Sequence, residues 1–190
     1  MFPRPLSPRP PSSLPLRGAV KTAVAVATAA AFALTAAPAH AASDPDPSVW
    51  TTLSKTYQAT SKYGYEGFAA GGGYTRTDVC VADPAEGGMG YHYVNPANID
   101  SLDPAKPAAL LYADGFKSDY ADGSEFTDGR KLVAVEWVVK DTGQAAPKLF
   151  GQTFQSGQLP GYFTLHAWIY KPNSAGLFAA WNPEVVCPSP

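Results

Sequence analysis

Charge is scarce in this sequence, and the reactive side chains are scarcer still. Charged residues make up 16% of 190, and there are only three histidines, two methionines and two cysteines. The sequence contains no Gly-x-Ser-x-Gly elbow, no phosphate-binding glycine loop and no His-Glu-x-x-His pair. These absences remove the usual serine-hydrolase, nucleotide-binding and zinc-protease solutions. No apolar run reaches the ~20 residues that cross a bilayer comfortably. The longest, Thr22 to Ala37, has about 16 residues and sits near the N-terminus.

That run is the middle of an expected secretory signal over residues 1–41. Arg4, Arg9, Arg17 and Lys21 precede or open it with no acidic residue, and Ala39-His40-Ala41 supplies a small-x-small cleavage site. No basic stop-transfer cluster follows, which favours a cleaved signal and a secreted, extracellular domain over 42–190 with no integral membrane segment; the alternative is an uncleaved membrane anchor. Removing the signal leaves ten Lys and Arg against sixteen Asp and Glu, a net charge of -6. An acidic surface repels nucleic acid and anionic membranes, so neither is expected as a partner. Cys80 and Cys187 form an even pair in an oxidising compartment and are expected to be bridged. Closing a loop of over a hundred residues would contribute about 4 to 5 kcal/mol on the chain-entropy model.

About 149 residues make one domain with one sizeable core. Asp46-Pro47 fits an N-cap followed by proline at the first helical position, and Val49, Leu53, Tyr57 and Thr60 make an amphipathic stripe that Gly71-Gly72-Gly73 ends as a flexible turn. Beyond it the period changes to two. Strands are predicted near Met89 to Val94, Ala109 to Tyr112, Lys131 to Val139 and Tyr162 to Tyr170, with a short one around Asp78 to Ala82. The segment from Ala113 to Arg130, with Asp114, Asp119, Asp122, Glu125 and Asp128, reads as a solvated connection, since it matches no EF-hand spacing. The proline-rich tail reads as coil laid over the sheet. The expected fold is α+β: an N-terminal helix packed on a mainly antiparallel, curved or partly barrel-like sheet.

One residue breaks the pattern. In Leu132-Val133-Ala134-Val135-Glu136-Trp137-Val138-Val139 every side chain except Glu136 is apolar, so both strand faces are covered and the carboxylate is buried. A buried carboxylate is either neutral with a raised pKa or paired with a donor, a cation or a metal. His92 and His166 also occupy strand centres, with Tyr91 and Tyr93 turned to the face opposite His92 and with Thr164, Trp168 and Tyr170 expected on the face of His166. If the three strands share a face, two imidazoles and one carboxylate converge, a set that suits one divalent metal with open positions for water or substrate. Two alternatives stand beside it: a structural polar network that fixes strand register, and a metal-free pocket in which Glu136 and a histidine serve as acid and base or hold a polar ligand. Whether the domain is an enzyme stays open among these. Tyr91, Tyr93, Trp137 and Trp168 are expected to wall the pocket. The four tryptophans and ten tyrosines also admit a non-catalytic binding or envelope protein, in which exposed rings stack on a carbohydrate or line a small-molecule pocket.

The phrases Gly88-Met89-Gly90-Tyr91-His92-Tyr93-Val94-Asn95-Pro96, Lys131-Leu132-Val133-Ala134-Val135-Glu136-Trp137 and His166-Ala167-Trp168 occur with Asn173-Ser174-Ala175-Gly176-Leu177-Phe178 and with Trp181-Asn182-Pro183 through Cys187. Together they resemble a family of secreted bacterial proteins over about Tyr57 to Cys187. The resemblance implies a His, a Glu and a His at His92, Glu136 and His166, and it brings no reaction with it.

Overall fold

The computed structural model describes residues 46–114 and 129–188. The expected signal at 1–41 lies outside the described residues, as do Asp119, Asp122, Glu125 and Asp128 of the acidic connection.

Helix α1, Pro47–Thr60, starts where the sequence places it. The Ser48 amide donates to the Asp46 carboxylate at 2.8 Å, and Pro47 fills the first helical position, where no amide donor is needed. Leu53, Thr56 and Thr60 are buried, whereas Tyr57 is half exposed. The helix stops at Thr60, well before the triple glycine expected to end it. Gly64 and Gly67 weaken helix propensity, and the chain continues as three 3₁₀ turns, Ser61–Tyr63, Glu66–Phe68 and Ala70–Gly72. Gly73, in the left-handed region at φ +82°, ends the last of them. Gly71-Gly72-Gly73 is therefore largely part of a 3₁₀ turn.

The strands are β1 (Thr75–Asp83), β2 (Gly87–Val94), β3 (Ala109–Ala113), β4 (Lys131–Lys140), β5 (Lys148–Leu149), β6 (Gln152–Thr153), β7 (Gln155–Ser156) and β8 (Tyr162–Ala167). Six of them form one sheet in the order β1-β2-β3-β4-β8-β7, with every neighbouring pair antiparallel. β5 and β6 make a separate two-residue ladder. The main sheet curls into a half-barrel, and the fold is α+β.

Alternation sends side chains to two apolar faces. Tyr91, Tyr93, Leu110, Tyr112, Val135, Trp137 and Leu165 share the first core with Leu53 of α1. Met89, Ala109, Leu111, Val133 and Ala134 form a second, smaller core with Trp168 and Val185. The second core is covered by the C-terminal tail. Asn182, fully buried, exchanges backbone hydrogen bonds with Gly88 at 3.0 and 3.1 Å and donates its side-chain amide to the Pro172 carbonyl at 3.0 Å. The Cys80–Cys187 disulfide then ties the tail to the edge strand β1, with the two Cα atoms 5.6 Å apart.

β8 ends at Ala167, three residues before the expected limit. The Trp168 amide donates to Leu177 in the tail at 2.9 Å, and the chain leaves the ladder. As a result Tyr170 does not join His166 on one face. It packs at the margin of the first core, its ring 5.4 Å from that of Tyr57 and its hydroxyl 2.8 Å from Thr60 Oγ1.

Gly90, two residues before His92, is a position where only glycine fits. Its φ is +91°, and an added Cβ would lie 2.3 Å from the Tyr112 carbonyl oxygen of the neighbouring strand. Gly90→Ala is expected to destabilise the domain by about 2 to 4 kcal/mol, combining left-handed strain with overpacking. Urea denaturation measures this directly, and an unchanged midpoint would show that the strand can shift to accommodate the methyl group.

Candidate metal centre

Register decides what β2, β4 and β8 bring together. Glu136 on β4 lies directly opposite His166 on β8 and, on its other side, opposite Ala109 on β3. His92 on β2 lies opposite Leu111, two residues further along β3 and so on the same face. β3 thus separates His92 from Glu136. The single methyl of Ala109 leaves room for the two longer side chains to meet above that strand.

They do meet. His166 Nε2 is 3.5 Å from Glu136 Oε1, and His92 Nε2 is 3.5 Å from Glu136 Oε2. One nitrogen from each imidazole and one carboxylate oxygen all lie within 4.8 Å of one another. The Glu136 and His166 side chains are 8% and 1% exposed, while that of His92 is 15% exposed, so the cluster approaches solvent on the His92 side.

The electrostatics follow from burial. Desolvation pushes the Glu136 carboxyl up to about 8. It lowers His92 to about 4 and His166 to about 3, with the charge of a protonated His92 adding to the second effect. At neutral pH the three groups are therefore a carboxylic acid and two neutral imidazoles. A neutral imidazole keeps a lone pair available for a metal, and a carboxyl that has lost its proton adds the third donor.

The hydrogen bonding is incomplete. Among the described residues neither His166 Nε2 nor His92 Nδ1 has a hydrogen-bond partner, although both atoms are buried. An unsatisfied buried polar atom costs roughly 1 to 3 kcal/mol. A cluster serving only to fix strand register would be expected to close its hydrogen bonds.

The expected pocket wall is redistributed. Trp168 lies in the second core, on the same sheet face as the cluster. Tyr91, Tyr93 and Trp137 lie in the first core instead. They are sequence neighbours of His92 and Glu136, and a period of two sends neighbours to opposite faces. Met89, Leu111, Val133 and Val185 make up much of the apolar surround on the cluster's own face.

The chain matches no protein-family model, no curated protein and no solved structure.

A second polar cluster gives no periodic signal in the sequence. Glu66, in a 3₁₀ turn, accepts from the Arg130 amide at 3.3 Å and from the Tyr93 hydroxyl, and it lies 3.6 Å from Arg76 Nη1. The Arg130 guanidinium carbon sits 3.2 Å from the centre of the Tyr91 ring, and its Nε reaches Asp114 at 3.3 Å. These contacts join residues up to 64 positions apart, and only a strand register could have revealed them.

Among the described residues no helix is long and apolar enough to cross a membrane. The disulfide is compatible with an oxidising, extracellular setting.

Proposed function

We propose that this is an exported domain of the secreted bacterial type it resembles, and that it binds one divalent transition-metal ion through His92, Glu136 and His166. The observation that carries the reading is the convergence of the three donor atoms within 4.8 Å, with His166 Nε2 left without a hydrogen bond inside an apolar surround. Two nitrogens and one oxygen suit zinc or ferrous iron better than calcium or magnesium, which take mainly oxygen ligands. Three protein ligands leave at least one position for water or a small polar ligand, entering from the His92 side. The metal would act there as a Lewis acid, polarising what it binds.

Elemental analysis of protein purified without added metal tests the reading. One metal per chain is expected in the wild type and almost none in His92→Ala or His166→Ala. Metal-free wild-type protein that binds no zinc on titration would overturn it.

Protons give a second readout. Glu136 must lose its proton to ligate, and its pKa of about 8 leaves it protonated at neutral pH. Each zinc bound at pH 7 is then expected to release close to one proton. The apparent affinity should rise about tenfold per pH unit up to about pH 8 and level off above it. Calorimetric titrations in buffers of different ionisation enthalpy count the proton, and no release at pH 7 would remove Glu136 from the ligand set.

A further inference from the structure

A groove of about 560 Å³ lies apart from the histidine cluster and is lined by Tyr65, Glu66, Gly67, Tyr74, Arg76 and Tyr93 among others. Tyr74 and Tyr93 belong to the first core, so the groove lies on that side of the sheet and not on the metal side.

Its wall carries an exposed aromatic ring. Tyr65 is 49% exposed, and Phe68 beside it is 62% exposed. The two rings meet edge to face, with centroids 6.0 Å apart. An exposed tyrosine ordinarily turns about its side-chain bonds. Gly67 and Gly129 leave room for the ring where it lies: a Cβ on Gly67 would come within 2.8 Å of it, and a Cβ on Gly129 within 2.9 Å. The backbone at Tyr65 is fixed by a bridge to Lys131 at the start of β4. The result is a flat apolar ring at the edge of a polar groove.

The polar side is equally settled. Glu66 accepts from the Tyr93 hydroxyl and the Arg130 amide and faces both Arg76 and Arg130. Arg76 also bonds Asp78, yet half of its side chain remains exposed. Among the described residues that line the groove the charged side chains are one carboxylate, Glu66, and one guanidinium, Arg76. The local field therefore does not favour an anion, and Coulomb attraction is not what would recruit a ligand. The arrangement suits a neutral molecule with one flat C–H face and a rim of hydroxyls: the face stacks on the Tyr65 ring, and the hydroxyls exchange hydrogen bonds with paired acid and guanidinium groups that both donate and accept.

We propose that this groove is a binding site for a neutral oligosaccharide, with a pyranose ring stacked on Tyr65 and its hydroxyls held by the Arg76 and Glu66 side. The site does not depend on the metal reading, so protein in chelator and protein in zinc bind the sugar alike.

Amide NMR titration of the full chain with cellotetraose, chitotetraose, xylotetraose, laminaritetraose and maltotetraose tests the proposal. At least one is expected to give saturable shifts centred on residues 65–76. Tyr65→Ala weakens that binding about tenfold or more, while Tyr65→Phe, which keeps the ring, binds as the wild type. Both variants remove only half-exposed atoms, and the amide spectrum of each reports whether the fold survives. No saturable shift in the groove with any of the five sugars at 10 mM (roughly the weak limit of useful affinity) overturns the proposal. So does binding that Tyr65→Ala leaves unchanged.

Discussion

In chelator at pH 8, Glu136→Gln is expected to be more stable than the wild type, and in excess zinc the order is expected to reverse. The first half follows from linkage. The folded-state pKa of Glu136 is raised from 4.5 to about 8, so its contribution to stability is full below the unfolded value and is lost as pH rises through the folded one. Between these limits the unfolded chain has already released a proton that the folded chain retains. Glutamine has nearly the same shape as the protonated acid and does not titrate. The difference in unfolding free energy should therefore move in the variant's favour by about 1.4 kcal/mol per pH unit across that window. The second half follows from ligation, because an amide is a far poorer metal ligand than a carboxylate. Zinc at about a hundred thousand times its dissociation constant stabilises the wild type by about 7 kcal/mol, more than the roughly 4 to 5 kcal/mol that the variant gains by pH 8, and it stabilises the variant by much less. Denaturant titrations at pH 5, 6.5 and 8, each with chelator and with zinc, measure both halves. Severe destabilisation of Glu136→Gln at every pH, unaffected by zinc, would instead mark a structural network broken on one side.

Reduction of Cys80–Cys187 is expected to lower stability by about 4 to 5 kcal/mol, the chain-entropy value for a closed loop of this size. The residues are 107 apart in sequence, so the bond restricts most of the unfolded domain. Since a domain of this length is stable by only about 7 to 15 kcal/mol, the loss is a large fraction of the whole. The bond also holds the tail over the second core, where Val185 is 2% exposed just two residues before Cys187. Reduced protein should accordingly bind zinc more weakly, since the apolar cover on the cluster's face is loosened. Urea unfolding of the oxidised, reduced and Cys80→Ser/Cys187→Ser forms reads the effect. A midpoint shift worth less than about 1 kcal/mol would mean that the tail is held by its own packing and that the entropic estimate fails here.

The sequence carried the centre because its signal is local. A single acid inside an apolar strand, and two histidines at the middle of apolar runs, mark positions where burial and polarity conflict, and such a conflict needs no knowledge of topology. Helix α1 was readable for the same reason, from the Asp46-Pro47 cap and the spacing of Leu53 and Thr60. The expected pocket wall went against the same rule: the alternation that turns Tyr91 and Tyr93 away from His92 also turns Trp137 away from Glu136, and all three lie in the first core. Other features were not readable. The departure of Trp168 and Tyr170 from β8 depends on an amide finding Leu177 in the tail, and β5, β6 and β7 are two-residue ladders whose composition resembles that of loops. The Glu66 cluster joins three distant segments through β1, β2 and the start of β4, and no spacing in the chain announces it.

The most direct test of the metal centre is ¹⁵N NMR of the imidazole rings during zinc titration. The chain has three histidines, and one of them, His40, precedes the expected cleavage site. Coordination is expected to shift one ring nitrogen of His92 and one of His166 together, reaching a plateau at one equivalent, and to leave neither shift in the Glu136→Gln variant at the same zinc concentration. Rings that stay unmoved, or a single histidine responding alone, would contradict a centre built from both.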